Sequence, residues 1–176
     1  MFKQIILLLK IEFYSWKKTW FWFLIMISIF PIIALSFINF ILPPADINQV
    51  FKITTGSMVF PIILMGMNTY AINISAAIDK GDFDYYKVVS VNLSNVIFVK
   101  LLSGIVMTMP SVLVTASFGQ IINNISLTFN LEGILILLLS IATCVSFGIM
   151  LGVSRLSYGI TNVVSQLVMM FISFLS

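Results

Sequence analysis

The 176-residue chain reads as an all-α integral membrane protein, one domain built from an N-terminal interfacial helix and about five transmembrane helices. Its composition points there first: 60% of the residues are apolar and 9% charged, against roughly 45–50% and 25% in a soluble domain. Nine Lys and Arg with six Asp and Glu cannot coat a water-soluble fold of this size. The second observation is spacing, because the charges leave uncharged stretches over 19–45, 53–78, 101–131, 133–154 and 156–176. Each approaches or exceeds the about 20 apolar residues that cross a ~30 Å hydrocarbon layer at 1.5 Å per residue. The third is charge asymmetry. With the N-terminus in the cytoplasm, Lys3, Lys10, Lys17, Lys18, Lys80, Lys87, Lys100 and Arg155 lie inside and only Lys52 outside, the bias that orients multi-pass proteins in a cell membrane.

Residues 1–18 are too charged to span. Lys3, Lys10 and Lys17 recur every seven residues, opposite Phe2, Leu9, Phe13 and Trp16, so the segment is expected to lie in the inner leaflet with its lysines at anionic headgroups. Glu12 and Leu7 interrupt that pattern. The first span, near 20–42, opens on an aromatic belt of Tyr14, Trp16, Trp20 and Trp22 and stops at Pro43 and Pro44. Turn residues trim the others to about 57–78, 97–119, 132–153 and 159–176, with Asn123, Asn124 and Asn130 ending the third. Pro31 and Pro110 fall inside spans one and three, where proline bends a helix.

Span four carries Ser140, Cys144, Gly148 and Gly152 at four-residue spacing, a strip of small side chains along which another backbone can approach. Asn68 and Asn73 in span two, and Asn162 with Gln166 in span five, are amides at membrane depth that need partners. They line a translocation path or join helices. The chain has no His and one Cys, which excludes a His-ligated metal site, a Ser-His-Asp triad and a disulfide framework. A net charge of +3 without a basic run beyond Lys17 and Lys18 suits a membrane surface rather than nucleic acid.

Charge concentrates in the loop 79–96, where Asp79, Lys80, Gly81, Asp82, Phe83, Asp84 and Tyr86 precede Lys100 at the start of span three. Gly81 is a natural break, Asp82 and Asp84 suit the first turn of a short helix, and Phe83, Tyr86, Val89 and Val91 add an apolar surface that invites a cytoplasmic partner. Here the sequence resembles the membrane-spanning permease subunits of type 2 ATP-binding-cassette (ABC) exporters. Asp79 and Lys80 fall on that family's acidic-basic pair, Gly81 on its Gly, Asp82 on its usual Thr, Phe83 on its Leu, Asp84 on its Glu and Lys100 on its Lys. Asp82 in place of Thr, the missing second acidic residue and the missing Pro are departures. The N-terminal helix is similar to the family's elbow helix, and 147–176 to its spans four and five with a basic turn at Arg155.

The resemblance implies a bundle of six spans of which this chain lacks the last, as a fragment or a shortened product. It implies a coupling loop for a separate ABC ATPase subunit that binds ATP and Mg, pairing with a second permease copy or homologue, and export of a hydrophobic or amphipathic substrate. No cofactor is expected in this chain, which contains no phosphate-binding Gly-x-x-x-x-Gly-Lys. A non-transporting immunity or scaffold subunit whose loop docks a partner is the alternative; a membrane enzyme would need His, acidic pairs or a Ser with a base inside the spans.

Overall fold

The computed structural model describes residues 2–17, 20–41, 46–88, 91–127, 130–154 and 156–175. Lys18, Pro43, Pro44, Val89 and Arg155, which the sequence reading uses, lie outside them. Among the described residues every regular element is helical, so the all-α class holds. In chain order these are α1 (Phe2–Trp16), α2 (Trp20–Ile41), α3 (Ile47–Pro61), a π-helical segment (Ile62–Thr69), α4 (Tyr70–Asp79), α5 (Asp82–Val88), α6 (Leu93–Asn123), α7 (Leu131–Val153) and α8 (Tyr158–Leu175).

Among the described residues three uninterrupted helical runs are long and apolar enough to cross a membrane: Ile47–Asp79, Leu93–Asn123 and Leu131–Val153. The first is 33 residues, about 50 Å at helical rise, and begins ten residues before the span expected near 57–78. Its middle is a π-helix that starts directly after Pro61. Proline brings no N–H to the carbonyl four residues back, and the run continues with wider turns, in which Thr69 Oγ1 donates to Leu64 O, five residues earlier, at 3.1 Å. Helix α6 starts with Asn92 accepting a hydrogen bond from Ser94 N–H at 3.1 Å. It ends where Asn124 turns left-handed at φ 49°, a conformation that Asn tolerates better than most residues.

Paired residues give the helix directions. Thr54 meets Gly119 and Tyr70 meets Ser103, so the α3–α4 run and α6 are antiparallel. Gly66 meets Val145 and Gly152 meets Ala71, so α7 runs parallel to α3–α4. Ser75 meets Thr161 and Asn68 meets Ser165, so α8 is antiparallel to α4. The core sits where the π segment, α4, α6 and α7 converge, around Met65, Tyr70, Ile74, Val112, Ile141 and Val145.

Helix α1 packs against the start of α6 through Leu8, which is buried with Val96 and Val99 and flanked by Ile5 and Leu9. Its bundle-facing stripe therefore runs through Ile5, Leu8, Leu9, Glu12 and Trp16, while Phe13, expected on the apolar face with Leu9 and Trp16, is exposed. The short helix α5 follows a turn at Gly81, whose φ of +81° is in the region that favours glycine. Its first turn carries Asp82 and Asp84.

Candidate functional site

At the end of the bundle that carries α1 and α5, four helices enclose a half-open cavity of about 470 Å³. Glu12 and Trp16 come to it from α1, Tyr70 and Asn73 from α4, Asp82 from α5 and Lys100 from α6, with Lys80 in the turn before α5. Lys100 Nζ donates to both carboxylate oxygens of Glu12, at 2.7 and 2.8 Å, and Trp16 Nε1 adds a hydrogen bond to Oε1 at 3.3 Å. The pair is largely shielded, with 23% of the Lys100 side chain and 12% of that of Glu12 exposed. Three residues further along α6, Ser103 Oγ donates to the Lys100 carbonyl at 2.9 Å and lies 3.1 Å from Tyr70 Oη. A serine hydroxyl has one proton, so Tyr70 is the donor to Ser103. The chain Tyr70, Ser103, Lys100, Glu12, Trp16 thus ties α4, α6 and α1 together.

Of the residues singled out from sequence, Lys80, Asp82, Lys100 and Asn73 meet in this cavity. Asp79 turns to another task. Its Oδ2 accepts from the backbone N–H of Tyr158 at 3.0 Å, capping the first residue of α8 from a different helix, where a carboxylate is favourable. Phe83 and Tyr86 contact each other edge to face with centroids 6.2 Å apart. Both are half-buried, Phe83 against the main core and Tyr86 against the Leu8, Val96 and Val99 cluster. They anchor α5 to this chain's own bundle. Burial first, then the Glu12 and Asp82 carboxylates, pushes the Tyr86 phenol above its ordinary pKa, so it stays neutral at physiological pH. Tyr85 and Val88 are exposed at 67% and 82%, and Asp82 and Asp84 are exposed as well. Tyr85, Val88 and Asp84 form the outward surface of α5, while Asp82 stands at the mouth of the cavity.

The other amides singled out from the sequence lie on the α8 side. Asn68 Oδ1 accepts from Ser165 Oγ at 2.7 Å, Ser75 Oγ donates to Thr161 Oγ1 at 3.2 Å, and Gln166 Nε2 donates to Asn162 Oδ1 at 3.1 Å. Asn68 joins helices, whereas Asn162 and Gln166 pair within α8. On α7, Gly148 and Gly152 are buried against the backbone of the π segment and α4. Cys144 and Ser140 are half-buried, Cys144 beside Gly66, and Ser140 Oγ donates to Ile136 O at 2.8 Å.

Glu12, Tyr70 and Ser103 were not singled out from the sequence as members of a site. Glu12 did carry a signal, as the only acidic residue among the first 45: a lone carboxylate among apolar residues needs a cation. That its partner is 88 positions away is a fact of the fold. Among the described residues no cluster of three His, Cys, Asp or Glu could hold a metal ion. What the cavity offers is binding chemistry: a phenol, an amide and charges of both signs. No family model matches this chain, and neither a curated protein nor a solved structure matches it.

Proposed function

We propose that the chain is the permease subunit of a type 2 ABC exporter, with α2, the α3–α4 run, α6, α7 and α8 as its spans, α1 as the elbow helix and the N-terminus in the cytoplasm of a multi-pass cell-membrane protein. The observation that carries the reading is α5, a short helix held to the bundle by Phe83 and Tyr86 and presenting Tyr85, Val88 and Asp84 outward, with Asp82 at the mouth of the adjoining cavity. An exposed aromatic beside acidic groups is a surface suited to a partner with basic residues. In this role α5 docks a separate ATPase, which holds ATP and Mg. Because α5 is anchored to α1 and α6 through Tyr86, movement of the ATPase reaches the bundle as a rigid displacement of packed helices. The permease pairs with a second copy or homologue, has no catalytic residue of its own, and exports a hydrophobic or amphipathic substrate.

Tyr85→Ala together with Asp84→Lys is expected to lower ATPase copurification in mild detergent by roughly tenfold or more, the loss of one contact residue plus a repulsive charge, and Tyr85→Ala alone to lower it with the thermal transition of the bundle unchanged. Normal copurification and transport by this variant overturn the docking role. The inward packing of Phe83 and Tyr86 favours one second reading, a non-transporting immunity or scaffold subunit in which α5 closes its own bundle. In that case no ATPase copurifies with the wild-type chain.

Orientation is tested separately. Single cysteines at Asn48 and Asn124 are expected to react with a membrane-impermeant thiol reagent in intact cells, and cysteines at Asp82 and Arg155 only after permeabilisation, from the lysine and arginine asymmetry. Labelling of Asp82→Cys from outside reverses the assignment.

A further inference from the structure

Beside the polar cavity, on the other side of Trp16, lies a second groove of about 440 Å³ between α1, the start of α2 and α6. Its walls are Phe13, Trp16, Trp20, Val106, Met107 and Pro110, and its rim carries Lys10 and Lys17. No carboxylate is among its lining residues. The nearest acid on α1, Glu12, faces the neighbouring cavity and is held there by Lys100 and Trp16. Lys10 and Lys17 are seven residues apart, two turns along one side of α1, so both cations stand over the same opening. From Lys100, at the level of α1, to Val106 and Pro110 the helix descends about 9 to 15 Å. The groove thus joins a positively charged mouth at the helix surface to an apolar floor below it.

We propose that this groove holds an anionic phospholipid of the inner leaflet, one acyl chain lying against Val106, Met107 and Pro110 and the phosphate at Lys10 and Lys17. Two features choose this occupant. A soluble anion would use the lysines and leave the aromatic and aliphatic walls facing water, while a neutral lipid would fill the walls and leave two cations without a counter-charge. Trp16 and Trp20 stand where the headgroup region meets the acyl chains, the position that indole rings favour. The inference rests on the membrane orientation of the preceding reading and not on its ATPase, so the failures are told apart: loss of ATPase copurification leaves the lipid site standing, whereas labelling of Asp82→Cys from outside removes it from the inner leaflet.

The full chain in bilayers containing phosphatidylglycerol or phosphatidylcholine with brominated acyl chains gives the test. Its three tryptophans, Trp16, Trp20 and Trp22, report bromine close to them by loss of fluorescence. At equal mole fraction brominated phosphatidylglycerol is expected to quench more than brominated phosphatidylcholine. Lys10→Gln with Lys17→Gln should remove the preference, each lysine accounting for about fivefold in relative affinity, while Lys52→Gln leaves it unchanged. In native mass spectrometry from mild detergent, wild-type protein should retain phosphatidylglycerol, and Val106→Trp, which fills the groove, should release it. Equal quenching by the two lipids, or a preference that survives the double lysine substitution, overturns the proposal. So does a correctly folded Val106→Trp that still retains phosphatidylglycerol; if that variant does not fold, the lysine result alone decides.

Discussion

Gly148→Leu is expected to abolish the native packing of α7. A Cβ at Gly148 would lie 2.5 Å from Met67 O, 2.7 Å from Gly66 O and 2.9 Å from Met67 Cα, all of them backbone atoms of the π segment that cannot swing aside as a side chain does. Overpacking typically costs about 1–3 kcal/mol where neighbours can adjust; here the helices must separate, and the expected loss is at the top of that range or beyond. Gly152→Leu should behave similarly, since its Cβ would meet Ala71 O and Ile74 Cβ, each at 2.8 Å. Its place near the end of α7 does not make it tolerant. Gly133→Ala and Gly159→Ala, with nothing within 4 Å of the added carbon, should be neutral or stabilise by up to about 1 kcal/mol through reduced chain entropy. Thermal unfolding in detergent measures all four. A Gly148→Leu variant that melts with the wild type would mean that α7 does not meet the π segment in this way.

Glu12→Ala or Lys100→Ala should each destabilise the bundle by more than the ~1 kcal/mol of an exposed ion pair and by less than the about 3–5 kcal/mol of a fully buried one, because both side chains are shielded but neither is sealed. The single changes leave a partly buried charge without its counter-ion, and Glu12→Ala also removes the hydrogen bond from Trp16 Nε1 to Glu12. The double variant Glu12→Ala with Lys100→Ala should recover part of the loss, since it leaves neither charge unpaired. A double-mutant cycle measures the coupling. Strictly additive effects would show that the two residues act separately and that α1 is held to α6 by its other contacts, Leu8 against Val96 and Val99 and Gln4 against Asn95.

The helical class was legible in the amino-acid order because lipid and water impose their demands locally: long uncharged stretches bounded by Lys52, Asp79, Lys100, Glu132 and Arg155 can satisfy their backbone in an apolar medium only as helices or closed barrels. The short helix beginning at Asp82 was legible too, from the glycine before it and the acids in its first turn. The π segment was not anticipated, although Pro61 stood in plain view, since proline reveals that a regular turn fails and not how the chain repairs it. The span expected near 57–78 covers only part of that helix, which starts ten residues earlier: the polar turns from Ile47 to Gly56 look like loop until Asn123 Nδ2 is seen donating to Thr54 Oγ1 at 2.9 Å.

Partners are what only the tertiary structure decided. Glu12 was a flaw in an amphipathic pattern until α6 brought Lys100 against it, and Asp79 belonged with the loop charges until α8 presented the N–H of Tyr158. Phe83 and Tyr86 promised an outward surface, yet α1, α4 and α6 left apolar space beneath α5 that the two rings fill, which turns Tyr85 and Val88 outward instead. Periodicity shows which residues share one side of a helix. Whether that side meets lipid, water or another helix depends on contacts between residues distant in the chain, and those exist only once the helices have packed.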